Sequence, residues 1–392
     1  MRRAIDFLKW RKGATIDWEI VFCVLILAIV GIMSIYVAAD NDTSGGAVYR
    51  QVISQFVWYV IGAVVVYLVM QMDAEQLWKV APYVYGASLF LMFAVVIFYS
   101  RSYYISTGAR SWFAIGPFTF QPSEIAKPAY VLMMGRVITT HNSMYPKHTA
   151  KSDWKLIGKM ILWLLPLIVS LTLQNDFGTS LVFCAIFAGL VLVSGITWRI
   201  IIPSVTIVGA IGGSALWMVT SNFGRSILTM VGFQSYQFDR VDTWLHPEQD
   251  TTNQGYQLWQ SIKAVGSGGL TGTGFNHSNV YVPVRESDMI FTVIGENFGF
   301  IGSIALVAIY MLLIYLMIRV IFETRNEFYA YLSTGVVMMI LFHVFENIGM
   351  NIGLLPLTGI PLPFVSAGGS SLLGNLIGIG IILSMRYHED RS

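Results

Sequence analysis

The residues that could do chemistry gather in short clusters along this 392-residue chain. The longest polar stretch, about Ser221 to Asp288, carries Arg240, Asp242, His246, Glu248, Asp250, Lys263, Arg285, Glu286 and Asp288. Carboxylates and cations in such a setting suit proton transfer and charge neutralisation. Asp250 sits among turn-forming polar residues, where it can be solvated and ionised; alone, such an aspartate is ordinary loop surface. His246 has no neighbours at a spacing that builds a metal cage. The run from Gly266 to Gly274 invites comparison with a phosphate loop, because Gly269 and Gly274 are correctly spaced. Phe275 stands where the lysine of that loop belongs, so a flexible turn is the plainer reading. Its backbone N–H groups could still meet a phosphate.

Four further clusters lie in apolar surroundings. In Gln121-Pro122-Ser123-Glu124-Ile125-Ala126-Lys127-Pro128, Glu124 and Lys127 are three apart and share one helix face. They are either a structural ion pair or one wall of a polar cavity, and Pro128 should kink the helix that carries them. Gln174-Asn175-Asp176-Phe177-Gly178-Thr179 puts Asp176 where a helix begins, as a cap or as part of a site. Arg285-Glu286-Ser287-Asp288 leads into an apolar run with Glu296 two turns further in, and His343, Glu346 and Asn347 interrupt another. Ionisable residues inside such runs are either a hydrogen-bonded structural cluster or a functional site. Thr358 to Ser371 is rich in Pro, Gly and Ser, and broken backbone at membrane depth is tolerated only where it lines protein or water.

The elements that must position these groups follow from composition. Hydrophobic residues make up 55% of the chain and charged residues 12%, against roughly 25% charged in soluble domains. This is an all-α, polytopic integral membrane protein. Crossing the hydrocarbon core takes roughly 20 apolar residues. Ten segments qualify, at about 18–39, 54–71, 79–99, 121–140, 156–173, 177–195, 199–220, 289–319, 329–353 and 364–386. The fifth and sixth are parted by Gln174, Asn175 and Asp176 alone, so a tight hairpin is required there. Residues 1–392 read as one membrane domain, with 221–288 as a long extracellular loop between spans seven and eight. Its latter half looks amphipathic, with Leu258, Ile262 and Val265 on one face, and could lie along the bilayer surface. The N-terminal run is too long for a signal-peptide core and reads as an uncleaved first span. Arg2, Arg3, Lys9, Arg11 and Lys12, then Lys147, Lys151 and Lys155, then Arg199, Arg319, Arg325, Arg386 and Arg391 fall on one side if ten spans are present, which places both termini in the cytoplasm. Cys23 and Cys184 lie in apolar runs and imply no disulfide framework.

Together these residues resemble the SEDS family of cell-wall glycosyltransferases, the RodA, FtsW and SpoVE group. The resemblance covers nearly the whole chain and rests on Gln121-Pro122-Ser123-Glu124 with Lys127, Asp176 to Thr179, Gly255-Tyr256-Gln257 through Gly274, Ser287-Asp288 with Glu296, and Thr358 to Ser371. Arg285 to Val293 looks more like the elongation-type members of Gram-positive bacteria than the division-type ones. Two positions depart from the family pattern. Asn175 replaces a proline, and Thr251 follows Asp250 where the family often has proline.

The resemblance implies a peptidoglycan glycosyltransferase of the bacterial plasma membrane that polymerises lipid II into β-1,4 glycan strands during cell-wall elongation. Undecaprenyl pyrophosphate would be the leaving group. Asp250 is the expected base, with Asp242 the weaker competitor, and ligation of a divalent cation (Mg or Mn) is the alternative role for Asp250. Lys127, Arg240, Lys263 and Arg285 are candidates to neutralise the pyrophosphate. Glu124, Asp176, Asp288, Glu296, Ser366, Gly368, Gly369 and Ser370 are expected to shape the cavity. The implied partners are a class B penicillin-binding protein and other elongation-complex membrane proteins, and nucleic acid is not among them. The rival readings are a lipid II flippase, which transport-type helix breaks near Pro361 could serve, and a non-catalytic scaffold.

Overall fold

Apolar runs too long for a soluble domain become helices here. The computed structural model describes residues 16–42, 46–115, 118–230, 241–249, 254–323 and 326–389. They form α1 (Trp18–Asp42), α2 (Gly46–Met70), α3 (Ala74–Phe98), α4 (Arg101–Thr107), β1 (Phe113–Ile115), β2 (Phe118–Phe120), α5 (Pro122–Met144), α6 (Ala150–Gln174) and α7 (Phe177–Val193). Then follow α8 (Trp198–Thr220), α9 (Asn222–Met230), α10 (Gln254–Ser267), α11 (Ile290–Glu323), α12 (Glu327–Asn351) and α13 (Gly369–Glu389). Eight of these, α1, α2, α3, α6, α8, α11, α12 and α13, are long and apolar enough to cross a membrane. α5 carries buried charges and α7 has 17 residues, yet both pack among the eight. The molecule is a multi-pass membrane protein.

Polar residues at the helix ends set the boundaries. Asp73 and Gln76 make a capping box for α3, Thr149 accepts from Ser152 N to start α6, and Asn326 accepts from Phe328 N to start α12. The required hairpin between α6 and α7 is built from two residues. Asn175 adopts a left-handed conformation (φ 59°) that closes α6, and Asp176 accepts from Thr179 N to open α7. β1 and β2 pair antiparallel with Phe113 opposite Phe120.

α5, α12 and α13 form the centre. α13 lies on α2 and α5, α12 contacts α5, α7 and α11, and α1 lies along α11. Glycines allow main chain to meet main chain: a Cβ at Gly374 would run into Glu124 O, one at Gly178 would stand 2.7 Å from Thr358 O, and one at Gly31 2.8 Å from Val365 O. α5 runs as one helix through Pro128. Proline has no N–H to offer the carbonyl four residues back, and that carbonyl, Glu124 O, is the one Gly374 approaches. α8 is peripheral; Ile200 and Ile201 are its buried residues.

The described part of the polar insertion from α10 onward is docked into the bundle. α10 does not lie free on a bilayer surface: Leu258, Ser261 and Ala264 are buried, and Ser261 Oγ donates to Asn351 O at 2.7 Å. The glycine run is no phosphate cradle either. Thr273 N donates to Glu296 O (2.9 Å) and Gly274 N to Asn297 O (3.2 Å), while Phe300 N and Ile301 N donate to Gly269 O and Leu270 O. These bonds splice the loop into α11 where Gly299 breaks the helix (φ 64°, ψ −157°). A Cβ at Gly299 would collide with Gly272 N, in a backbone conformation L residues avoid. Gly299→Ala is therefore expected to lower the thermal unfolding temperature of the detergent-purified protein sharply. Gly266→Ala, where a Cβ meets nothing within 4 Å, should leave it near wild type.

At the opposite end Asp17 pairs with Arg386 and, at 3.7 Å, with Arg319, which also holds Glu19 at 2.6 Å. These pairs tie the start of α1 to the ends of α11 and α13.

Candidate functional site

The polar clusters converge at the end where α5, α7 and α13 begin and α12 finishes. Lys127 is buried and ion-paired with Glu124 at 2.7 Å. Its Nζ also donates to His343 Nε2 at 2.8 Å. His343 Nδ1 lies 2.6 Å from Met339 O, and a carbonyl can only accept, so this nitrogen carries the ring proton and Nε2 is left as acceptor. Asp176 caps α7 and takes two further donors, Thr179 Oγ1 (2.9 Å) and Gln121 Nε2 (3.0 Å), which joins the α6–α7 turn to the start of α5. Asp176 is therefore a cap, and the Gln121 bond ties it to the start of the helix that carries Glu124 and Lys127.

Asp288 is held in place through its main chain. Its carbonyl accepts from Asn347 Nδ2 (2.8 Å) and Asn351 Nδ2 (3.1 Å), residues one turn apart on α12. Asn347 also holds Ile360 O at 2.8 Å. The carboxylate lies 3.3 Å from where a side chain would begin at Gly359, whose φ is +73°. Burial pushes the Asp288 carboxyl up to about 7, with a hydrogen bond from Ser287 opposing and the neighbouring Glu286 adding to it. The residue keeps part of its surface open.

The 358–371 stretch is the scaffold for that acid. Ser366 Oγ donates to Ser287 O (2.7 Å) and accepts from Leu362 N (2.8 Å), and Ala367 N donates to Glu286 O (2.9 Å). Gln55 on α2 brackets the same turn, giving a hydrogen bond to Ser366 O and taking one from Gly368 N. Tyr59 and Tyr310 hydroxyls donate to Phe364 O and Pro363 O. A Cβ on Gly369 would run into the Trp58 indole, so glycine is required there by space. Ser370 is buried, and its hydroxyl has no partner among the described residues.

The cations divide differently from expectation. Arg285 is buried and engaged: it pairs with Glu296 and donates to Ser278 Oγ at 2.7 Å. Glu296 also accepts from Asn279 N (2.6 Å) and Val280 N (3.1 Å), so the pair clasps 278–285 onto α11. Lys127 is likewise engaged, by Glu124 and His343. Lys263 is exposed over the Trp259 ring, 5.4 Å from its centre. Asp242 pairs with Arg225. Arg240 and Asp250 lie outside the described residues, as do the basic residues of 1–15, Arg325 and Arg391. Among the described residues no three His, Cys, Asp or Glu side chains converge as a metal site would need. Sequence reasoning missed Asn351, although its spacing of four from Asn347 marks the same face. It also missed Gln55, for which the sequence carries no signal.

The arrangement has known counterparts. A family profile described as "Cell cycle protein", that of FtsW, RodA and SpoVE, matches residues 15–391. Peptidoglycan glycosyltransferase MrdB of Escherichia coli is 32% identical over 384 residues, covering 97% of this chain and 95% of MrdB. Peptidoglycan glycosyltransferase RodA of Treponema pallidum is 26% identical, over 97% of this chain and 100% of that protein. A chain in a peptidoglycan synthase complex, solved for its coordination of polymerization and crosslinking, superposes with a TM-score of 0.77 at 26% identity, covering 96% of this chain and 98% of that one. The crystal structure of Thermus thermophilus RodA gives 0.67 at 26% identity, over 95% and 97%. With a profile that runs from before α1 to beyond α13 and relatives matched over almost their full length, the chain belongs to the FtsW/RodA/SpoVE (SEDS) family.

Proposed function

We propose that the chain is a peptidoglycan glycosyltransferase polymerising lipid II into β-1,4 glycan strands during cell-wall elongation, with Asp288 as its general base. The relatives supply the reaction class. One observation carries the base: Asp288 joins a main chain fixed by Asn347 and Asn351 to a carboxyl pushed up to about 7. A base is most effective with a pKa near the operating pH, and an ordinary carboxylate, about 4, is weak against a sugar hydroxyl. The acceptor GlcNAc 4-hydroxyl gives its proton to Asp288 as its oxygen bonds to C1 of the donor sugar. The C1–O bond to the diphosphate breaks, and undecaprenyl diphosphate leaves. Inversion requires attack on the face opposite that leaving group. The Glu124–Lys127–His343 chain and the Arg285–Glu296 clasp hold the walls rather than the substrate. A divalent cation held by Asp250 would offset the charge of the diphosphate, and no step above runs through it.

The same reading makes α5 and α7 the fourth and sixth of ten spans, puts both termini in the cytoplasm of a plasma-membrane protein, and sets the polar end outside. The complex that the chain resembles coordinates polymerization with crosslinking, which supports a class B penicillin-binding protein as partner.

The test is a pH series of labelled lipid II polymerisation, read as glycan ladders from the protein with its cognate penicillin-binding protein. Asp288 acts as its carboxylate, so the rate should rise with pH and reach half its plateau near 7. Half-maximal activity near the ordinary carboxylate value would move the base to a solvated acid such as Asp250. No ladder at any pH, with lipid II translocated in liposomes, would replace the polymerase by a flippase.

A further inference from the structure

With Lys127 and Arg285 engaged inside the bundle, the question is which cation meets the diphosphate. The shelf of α4 and the β1–β2 hairpin contains one. Gly108 ends α4 in a left-handed conformation (φ +71°), and Ser100 N donates to Trp112 O at 2.8 Å, tying the helix to the chain that enters β1. Tyr103 and Trp112 stack with ring centres 5.7 Å apart. Between these anchors, Arg110 N donates to Gln174 O at 2.8 Å. That bond fixes Arg110 beside the α6–α7 turn, two residues from Asp176, whose carboxylate is bonded to Gln121 at the start of α5.

The Arg110 side chain is half-buried and aromatic rings hold it. Its guanidinium carbon lies 5.3 Å from the centre of the Tyr99 ring and 5.3 Å from that of Tyr104. The two rings meet edge to face at 5.3 Å. No carboxylate comes within ion-pair distance of it among the described residues, and its buried Nε has no hydrogen-bond partner there. Rings can orient a guanidinium and favour its charge, but they accept few of its N–H bonds. A partly desolvated, immobilised cation with an unfilled buried N–H is costly unless an anion or water completes it. The planar guanidinium fork matches two phosphate oxygens at once.

We propose that Arg110, clamped by Tyr99 and Tyr104, binds the diphosphate of the polyprenyl-linked substrate at the polar end of the bundle. The assignment rests on the polymerase reading above for the identity of the lipid. The shared chemistry is a phosphate carried on a lipid, and a glycerophospholipid headgroup is the rival source.

The experiment compares wild type, Arg110→Gln and Arg110→Lys in nanodiscs of phosphatidylcholine, with and without phosphatidylglycerol. Two quantities are read: Kd for undecaprenyl diphosphate, and the KM-against-kcat split of lipid II polymerisation. Loss of a charge-assisted, two-pronged contact should raise Kd and KM about tenfold to hundredfold in Arg110→Gln, with kcat far less affected. Arg110→Lys should fall between, because it keeps the charge and loses the fork. A merely structural role would lower kcat and the unfolding temperature together and leave Kd unchanged, which would overturn the assignment. Equal Kd for wild type and Arg110→Gln, or a difference seen only as altered phosphatidylglycerol retention, would also overturn it. If wild type binds undecaprenyl diphosphate but forms no ladder, the polymerase reading fails while the Kd comparison still decides Arg110.

Discussion

Asp288→Asn should abolish ladder formation while leaving a folded protein. Removing a general base costs about 10²- to 10⁴-fold in rate, enough to erase glycan strands from a gel. The asparagine keeps the size of the side chain, and the main-chain bonds from Asn347 and Asn351 do not depend on it. Stability should change in the other direction. The Asp288 carboxyl is pushed up to about 7 by burial, far above its value in an unfolded chain, about 3.9. Between those two values the folded state keeps a proton that the unfolded state releases, so this group weakens the fold progressively as pH rises through that window. Asn carries no such penalty. At pH 8 the inactive variant should unfold at a temperature equal to or above that of wild type, and the gap should close toward pH 4. Asp250→Asn is the control. If that variant is dead and Asp288→Asn still makes ladders, the base lies in the insertion as the motif alone suggests.

Glu296→Ala is the second large effect, and it is structural. Glu296 receives Arg285 and two backbone N–H groups inside the protein, with neither side chain of the pair measurably open to solvent. Removing one partner of a buried pair costs about 3–5 kcal/mol, because the remaining charge stays buried and alone. The backbone amides of Asn279 and Val280 would lose their acceptor as well. Thermal unfolding of Glu296→Ala, Arg285→Met and the double variant Arg285→Met/Glu296→Met separates the contributions. The double variant should be more stable than Glu296→Ala, since no uncompensated charge is left. If the double variant is the worst of the three, the pair itself stabilises the fold beyond its own desolvation.

Much of this was legible in the residues. Apolar runs locate the long helices, since crossing length and composition are nearly sufficient conditions for such helices, but they set the starts of α2, α3 and α6 too late and that of α13 too early, because polar first turns carry no apolar signal. The hairpin at Gln174 to Asp176 follows from the left-handed tolerance of asparagine and the capping ability of aspartate. Glu124 with Lys127 declares itself by a spacing of three. What could not be read was which charges are engaged. Arg285 reads as a loop cation because its partner, Glu296, lies beyond a chain reversal that no periodicity signals. The glycine run misleads because its N–H groups meet carbonyls exposed by a break at Gly299, and a lone glycine in an apolar run more commonly marks close helix packing than a broken helix. Gln55 and Arg110 acquire meaning through neighbours hundreds or tens of residues away. Asp250 is favoured by its local motif, whereas the case for Asp288 depends on burial, which sequence does not display.

The glycine contacts at the centre also set where the bundle can yield. Gly374 against Glu124 O, Gly178 against Thr358 O and Gly31 against Val365 O bring backbones together without intervening side chains. Side chains can change rotamer to absorb a displacement, but backbones in contact cannot, so that wall is stiff. α8 has the opposite character, with Ile200 and Ile201 as its buried residues. Compliance therefore rises from the α5–α13 seam toward α8. A bulky lipid-linked chain that must come and go each cycle meets its lowest elastic resistance on that flank, and the atoms that have to stay in register are on the rigid one.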